Sequence, residues 1–169
     1  MIAFAIWLLD AGATTVTVYP DGEHGKRFDP KASLAKHGFD HIRSQGTTSY
    51  GGDYVRGQQM VTVIPRSGQG DVVAKAGEKT VVAECKGGVV NSRHAGQVSR
   101  LRRGLCEAVG LLMARPRENE RHVAVVPAHS TTRALASRMI ARTSMVGIEI
   151  ALVDGQGTVM FVKPKSEEE

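Results

Sequence analysis

The chain has 169 residues, of which 41% are hydrophobic and 5% aromatic, and its formal net charge is +5. This length favours one globular domain with a real core, and the scarcity of aromatic side chains argues against a protein that binds nucleic acid chiefly by base stacking. The excess of basic residues favours a polyanionic partner, and nucleic acid is the first candidate.

The apolar segment from Ile2 to Leu9 lacks a preceding basic residue and is short for a secretion signal. It is far too short to cross a bilayer as a helix, so we expect no membrane partner. We predict a helix over residues 2–10 and a strand over residues 14–19, where β-branched residues are dense. Residues 1–28 are interpreted as an N-terminal extension that packs on the domain after it.

The next segments alternate between regular elements and glycine-rich stretches. A helix is predicted from Pro30 to His37, with Asp29 as its N-cap and Gly38 after its end. A strand is expected to begin at residues 39–43. Further along, we predict a mobile loop over residues 45–57 and a strand over residues 59–64 that Pro65 ends.

The segment from Asp71 to Lys86 contains two apolar stretches around Gly77 and Glu78, which suit a two-residue type II′ turn. Counting outward from that turn places Asp71 opposite Glu84, with Cβ atoms roughly 5 Å apart. Lys86 projects from the same strand face as Glu84. Because both stretches are apolar on both faces, we expect strands buried in the middle of a sheet.

Two carboxylates at this separation repel each other unless a cation lies nearby. Lys86 supplies one positive charge, and a divalent metal supplies more, since hard oxygen ligands suit magnesium or manganese. An ordinary ion pair of Lys86 with Asp71 or Glu84 on a wet sheet face is the alternative. Acids within apolar strands favour the metal site.

The rest of the chain predicts two helices, a strand and a hairpin. The first helix is capped by Asn91 or Ser92 and is closed by Pro116. Its predicted apolar stripe consists of Val98, Leu101, Leu105, Ala108, Val109 and Leu112. We place Arg93, Gln97 and Arg100 on one flank of that stripe, either as part of a solvated basic face or with Gln97 facing the acids. Then follow a strand over 122–128 and a helix that Ser130 caps and that runs to about Arg142. Strands over 148–153 and 158–162 and a disordered acidic tail over 164–169 complete the chain.

The two cysteines, Cys85 and Cys106, form neither a disulfide framework nor a metal-spaced cluster. Cys85 lies on the strand face opposite Glu84 and is expected to be a small core residue. We therefore expect a reducing, cytoplasmic environment.

Three features carry a resemblance to a known family: Asp71, the run Glu84-Cys85-Lys86, and a basic helix with Gln97. Together they resemble the PD-(D/E)XK nuclease superfamily, and most of all its Mrr-like and Holliday-junction-resolvase branches. The resemblance covers residues 30–162 and departs from the family pattern in having glycine before Asp71. It implies an α/β fold with a three-layer, restriction-endonuclease-like core, in which helices flank a mixed central sheet, within a nuclease-like domain over residues 29–163.

The resemblance implies a Mg²⁺- or Mn²⁺-dependent DNA endonuclease that hydrolyses phosphodiester bonds. Asp71, Glu84 and the backbone carbonyl of Cys85 would be metal ligands, and Lys86 would orient the attacking water and stabilise charge on the phosphate. Gln97 resembles the helix glutamine that some branches use beside the site.

Other implied features concern further ligands and partners. Asp29 and Glu23 are the only nearby candidates for the acid that many branches carry in the first helix, which leaves open one metal or two. Arg66, Arg93 and Arg100 would hold flanking phosphates. A homodimer is plausible by resemblance. Two alternatives stay open: a non-catalytic nucleic-acid-binding module on the same fold, and a structural subunit with an ordinary ion pair at the hairpin.

Overall fold

The computed structural model describes residues 1–20, 28–66, 68–115 and 118–164. Within these ranges the chain has an α/β fold with a mixed sheet and helices, as the sequence predicts, and it contains four helices and nine strands. The helices are α1 (Ile2–Asp10), α2 (Pro30–Lys36), α3 (Ala95–Met113) and α4 (Ser130–Met145). The strands are β1 (Thr15–Val18), β2 (Asp40–Ser44), β3 (Gly52–Arg56), β4 (Gln59–Val63), β5 (Val72–Ala76), β6 (Lys79–Cys85), β7 (Glu120–Pro127), β8 (Ile148–Val153) and β9 (Val159–Phe161).

The chain forms two compact units, Met1–Val82 and Ala83–Glu169, and the boundary falls within β6. In the first unit the strand order is β2-β3-β4-β1-β5, followed by the start of β6. β1 runs parallel to β4 and antiparallel to β5. In the second unit the end of β6 is followed by β7, β8 and β9, with β7 parallel and β9 antiparallel to β8. The predicted boundaries at residues 28/29 and 163/164 stay predictions.

The N-terminal helix α1 has the bounds that the sequence predicts and is buried on nearly every side. It contacts β1, β5 and α2 within the first unit, which explains why it has no polar face. No helix in the described ranges has the length and apolar character needed to span a membrane. The buried residues of α1 are Ile2, Phe4, Ala5, Ile6, Leu8 and Leu9.

The prediction of a loop over residues 45–57 is wrong, because β3 occupies residues 52–56 and pairs with both β2 and β4. Gly52 is interpreted from the sequence as a loop residue, but it lies at the start of β3. Its φ is +143°, and a Cβ at this position would overlap the main-chain oxygen of Arg43. The glycine therefore marks a close approach between two paired strands, where no side chain fits.

The second unit buries one stripe of α3, which packs on β7, while α4 packs on β8 and contacts α3. This stripe is the one that the sequence predicts, except that Val98 is only half-buried. Its buried members are Leu101, Leu105, Ala108, Val109 and Leu112.

The predicted helix starts in the second unit are wrong by one to three residues. The N-cap of α3 is His94, and Ser92 instead accepts a hydrogen bond from the backbone N–H of His94 at 3.2 Å. The N-cap of α4 is His129, whose Nδ1 accepts from the N–H of Thr131 at 3.1 Å. α4 ends three residues later than predicted, at Met145, and Gly147 with φ +67° follows. Pro116, the predicted end of α3, and residues 165–169 of the predicted tail lie outside the described residues.

Candidate active site

The hairpin turn at Gly77 and Glu78 has the predicted geometry. β5 ends at Ala76 and β6 begins at Lys79, which leaves two residues for the turn. Gly77 has φ +63°, and Asn119 is the only described non-glycine residue with a positive φ, so Glu78 has a negative one. A positive φ at the first turn position and a negative φ at the second are those of a type II′ turn, which matches the twist of the flanking strands.

The strands that leave this turn are largely buried, as predicted for inner strands. Val72 and Ala74 of β5 and the last five residues of β6, Val81–Cys85, are buried. Asp71 directly precedes β5 and is half-buried, and its main-chain oxygen accepts a hydrogen bond from the N–H of Tyr19 at 2.9 Å. The opposition of Asp71 and Glu84 stays a prediction.

Glu84 places a carboxylate within the apolar part of β6, where the residue is only 6% exposed. Its Oε1 lies 3.4 Å from a terminal guanidinium nitrogen of Arg115, which follows the end of α3. A buried carboxylate without a positive neighbour is strongly destabilising, so this guanidinium helps to keep the anion in place. Cys85, the next residue, is buried, as its position on the opposite strand face predicts.

Lys86 continues the strand by one residue, because its N–H donates to the main-chain oxygen of Val125 in β7 at 2.9 Å. Its ammonium nitrogen lies 2.7 Å from Oε1 of Glu107 in α3. The helix comes close at this point because Gly104 has no side chain; a Cβ there would lie 3.0 Å from Cβ of Lys86. The short N–O distance is that of a charge-assisted hydrogen bond.

One flank of α3 carries the residues nearest to Lys86. Gln97, Arg100, Gly104 and Glu107 follow each other at spacings of three and four, so they lie on the same flank. Gln97 and Arg100 are exposed, which agrees with their predicted place beside the buried stripe. The structure thus aligns Gln97 and Arg100 with the helix positions that touch Lys86.

Two other predicted phosphate-binding residues are also exposed. Arg93 precedes α3 in the second unit, and Arg66 follows β4 in the first unit. The N–H of Arg66 donates to the main-chain oxygen of Ile64 at 2.8 Å, which fixes the backbone and leaves the side chain at the surface. Both side chains have the exposure that a phosphate contact requires.

Sequence reasoning missed Glu107 and Arg115, the partners of Lys86 and Glu84. Glu107 had a usable signal: it is the only acid of α3, and it shares a flank with Arg100 and the glycine at position 104. Arg115 had none, because it lies beyond the helix end and its position depends on tertiary packing.

The donor atoms of the predicted metal site suit a hard cation. Two carboxylates and a peptide carbonyl offer only oxygen, the ligand type that Mg²⁺ and Mn²⁺ prefer. Glu84 would supply a buried carboxylate for this role, and a metal ion there would share or displace the Arg115 guanidinium that lies 3.4 Å from its Oε1. Within the described ranges no three His, Cys, Asp or Glu side chains group around a common point, but the predicted set contains only two such side chains.

The two candidates for a further acidic ligand have different outcomes. Asp29 is the N-cap of α2, as predicted, and its Oδ1 accepts from the N–H of Ala32 at 3.0 Å. Glu23 lies outside the described residues.

No protein-family model, no curated protein and no solved structure matches the chain. Any function assigned to it therefore depends on the chemistry of its own residues.

Proposed function

We propose that this protein is a divalent-metal-dependent DNA endonuclease that hydrolyses phosphodiester bonds, on a fold of the PD-(D/E)XK type. The observation that carries the proposal is the pair Glu84 and Lys86 at the end of β6, a buried carboxylate and an ammonium on one strand face. Removing a carboxylate from water raises the free energy of the folded protein by roughly several kcal/mol unless the surroundings compensate for it. Buried charge of this kind concentrates at functional sites.

In this proposal Asp71, Glu84 and the main-chain oxygen of Cys85 hold Mg²⁺ or Mn²⁺. A divalent ion held by these residues would supply positive charge that makes a water more acidic and offsets negative charge on the phosphate. Lys86 orients the attacking water and adds a fixed positive charge next to the reacting phosphate.

Exposed residues bind the substrate DNA. Gln97 reaches the reacting phosphate or its water from the flank of α3 that also touches Lys86. Arg66, Arg93 and Arg100 bind phosphates on either side of the scissile bond and position the DNA without identifying its sequence. A homodimer of this protein would cut both strands. A reducing cytoplasm fits both cysteines, which are free thiols in the structure.

A non-catalytic nucleic-acid-binding module is the second candidate, and one observation favours it. Glu84 and Lys86 each already have an oppositely charged neighbour, Arg115 and Glu107, so these four charges are compensated in pairs without a metal. Calorimetric titration with Mg²⁺ or Mn²⁺ separates the two functions. The enzyme binds the ion and loses it in Asp71→Asn, whereas the module binds DNA but no divalent ion.

Plasmid cleavage in Mg²⁺ tests the proposed function. We expect Glu84→Gln and Lys86→Met to lower the cleavage rate by about 100-fold or more, because each removes a charge at the reacting phosphate. Glu78→Gln and Lys79→Met make the same changes at exposed positions of the same hairpin and should cleave like the wild type. Equal cleavage by all five proteins, with unchanged circular dichroism, would remove the catalytic assignment.

A further inference from the structure

The ammonium group of Lys86 is held by a helix that comes later in the chain. Its Nζ lies 2.7 Å from Oε1 of Glu107, and its first carbons lie against the bare backbone of Gly104. The Lys86 side chain is 27% exposed and that of Glu107 is 59% exposed. Lys86 is therefore mostly enclosed, while its partner is still reachable from solvent.

We infer that Glu107 is a positioning residue that fixes the Lys86 ammonium for phosphodiester hydrolysis, with Gly104 providing the space for this contact. The catalytic consequence rests on the proposed function, whereas the contact itself does not. Lysine has four rotatable side-chain bonds and loses much rotamer freedom when it is held in one place. A partner that already holds the ammonium supplies this order before the substrate binds.

The direction of α3 supports this role. At the end of β6 the chain passes from Glu84 to Lys86, and their partners occur in the reverse order: Glu107 lies in α3 and pairs with Lys86, and Arg115 lies two residues past the end of α3 and pairs with Glu84. The helix and the residues just after it thus provide an opposite charge for Glu84 and for Lys86. The two pairs differ in distance, 3.4 Å between Glu84 and Arg115 and 2.7 Å between Lys86 and Glu107.

Nuclear magnetic resonance of protein labelled with ¹⁵N-lysine measures the contact without any cleavage assay. A paired ammonium exchanges its protons slowly enough to give a signal, and Lys86→Met assigns it by its disappearance. We expect this signal to be lost or strongly shifted in Glu107→Gln and partly kept in Glu107→Asp. Glu118→Gln, an exposed acid of the same unit, is the matched control and should leave the signal unchanged.

Steady-state cleavage then measures the consequence. We expect Glu107→Gln to lower kcat about three- to fivefold with little change in KM, the size expected for a partly exposed ion pair that acts on the rate. Gly104→Ala should also lower kcat, although alanine favours the helix, because its methyl group displaces the lysine. A loss of kcat without a loss in the free energy of unfolding would not arise from a merely structural role.

The possible failures are distinguishable. If the wild type cleaves no DNA, the proposed function is wrong, and the lysine spectrum alone decides the pairing. If Glu107→Gln matches the wild type in either its Lys86 signal or its kcat, while the wild type is active, Glu107 does not position Lys86. An unchanged kcat in Gly104→Ala would overturn the role of the glycine contact.

Discussion

Tyr54 lies in β3 of the first unit, where it is 1% exposed and its hydroxyl donates to the main-chain oxygen of Tyr50 at 2.7 Å. Burial, with a smaller contribution from the charge of Asp29, raises the pKa of Tyr54 from 10.0 to about 12. The protonated phenol is therefore favoured by folding. The contribution of this phenol to stability is complete below its pKa in the unfolded state, and it is lost as the pH rises through its pKa in the folded state.

We predict that the free energy of unfolding falls more steeply between pH 10 and about 12 in the wild type than in Tyr54→Phe. Phenylalanine keeps the ring but has no proton to lose, which makes it the matched control. Urea denaturation at several pH values in this window measures the difference. Parallel pH profiles of the two proteins would contradict the burial of this phenol.

Gly52 and Gly57 both have a positive φ, at +143° and +58°. They differ in space, because a Cβ at Gly52 would overlap the carbonyl of Arg43, while nothing lies within 4 Å of one at Gly57. We predict that Gly52→Ala lowers the free energy of unfolding by about 2–4 kcal/mol, and Gly57→Ala by only about 1–2 kcal/mol. Chemical denaturation measures both, and equal losses would show that β2 and β3 are not this close.

At the scale of an element, α3 is stabilised by one buried stripe and not by its caps, since His94 makes no side-chain cap hydrogen bond. Leu105 is 0% exposed, while Leu111 on the same helix is 43% exposed. We predict that Leu105→Ala lowers the free energy of unfolding by about 2–5 kcal/mol through a cavity, and Leu111→Ala by less than about 1 kcal/mol. Urea denaturation measures both, and similar losses would show that α3 does not pack as described.

Elements whose signals are local could be predicted from the sequence. α1, the hairpin of β5 and β6, and the cap at Asp29 follow from apolar runs, turn residues and a proline within a few positions of one another. β3 could not be predicted, because Gly52 is required by contact with a strand nine residues earlier and reads locally as a loop residue. The start of α3 was misplaced since no side chain caps it.

The residues of the candidate site also divide into those with a local sequence signal and those that only tertiary packing brings in. Glu84, Cys85 and Lys86 could be placed on their strand faces because alternation along one strand decides them. The partners Glu107 and Arg115 are more than 20 residues away in sequence, and packing of α3 brings them in. Helical spacing could place Glu107 on the flank of Arg100, but only the structure joins that flank to Lys86.

At the scale of the whole molecule, the distribution of charge favours a polyanion. The net charge is +5, and α3 and α4 together contain six arginines and one acid, Glu107, which is paired with Lys86. Each phosphate that a basic side chain neutralises releases counterions from DNA, so affinity depends on salt in proportion to the number of contacts. The salt dependence therefore counts the phosphate contacts of the chain, whether or not it cleaves.

We predict that Arg93→Gln and Arg100→Gln each reduce the slope of log affinity against log salt concentration by about 1, because each removes one phosphate contact. Arg103→Gln removes the same charge from an exposed position of α3 opposite its buried stripe, and its slope should match the wild type. Fluorescence anisotropy with a labelled duplex, between low and physiological salt, gives all four slopes. Equal losses in the three variants would indicate that net charge alone attracts DNA and that Arg93 and Arg100 make no defined contact.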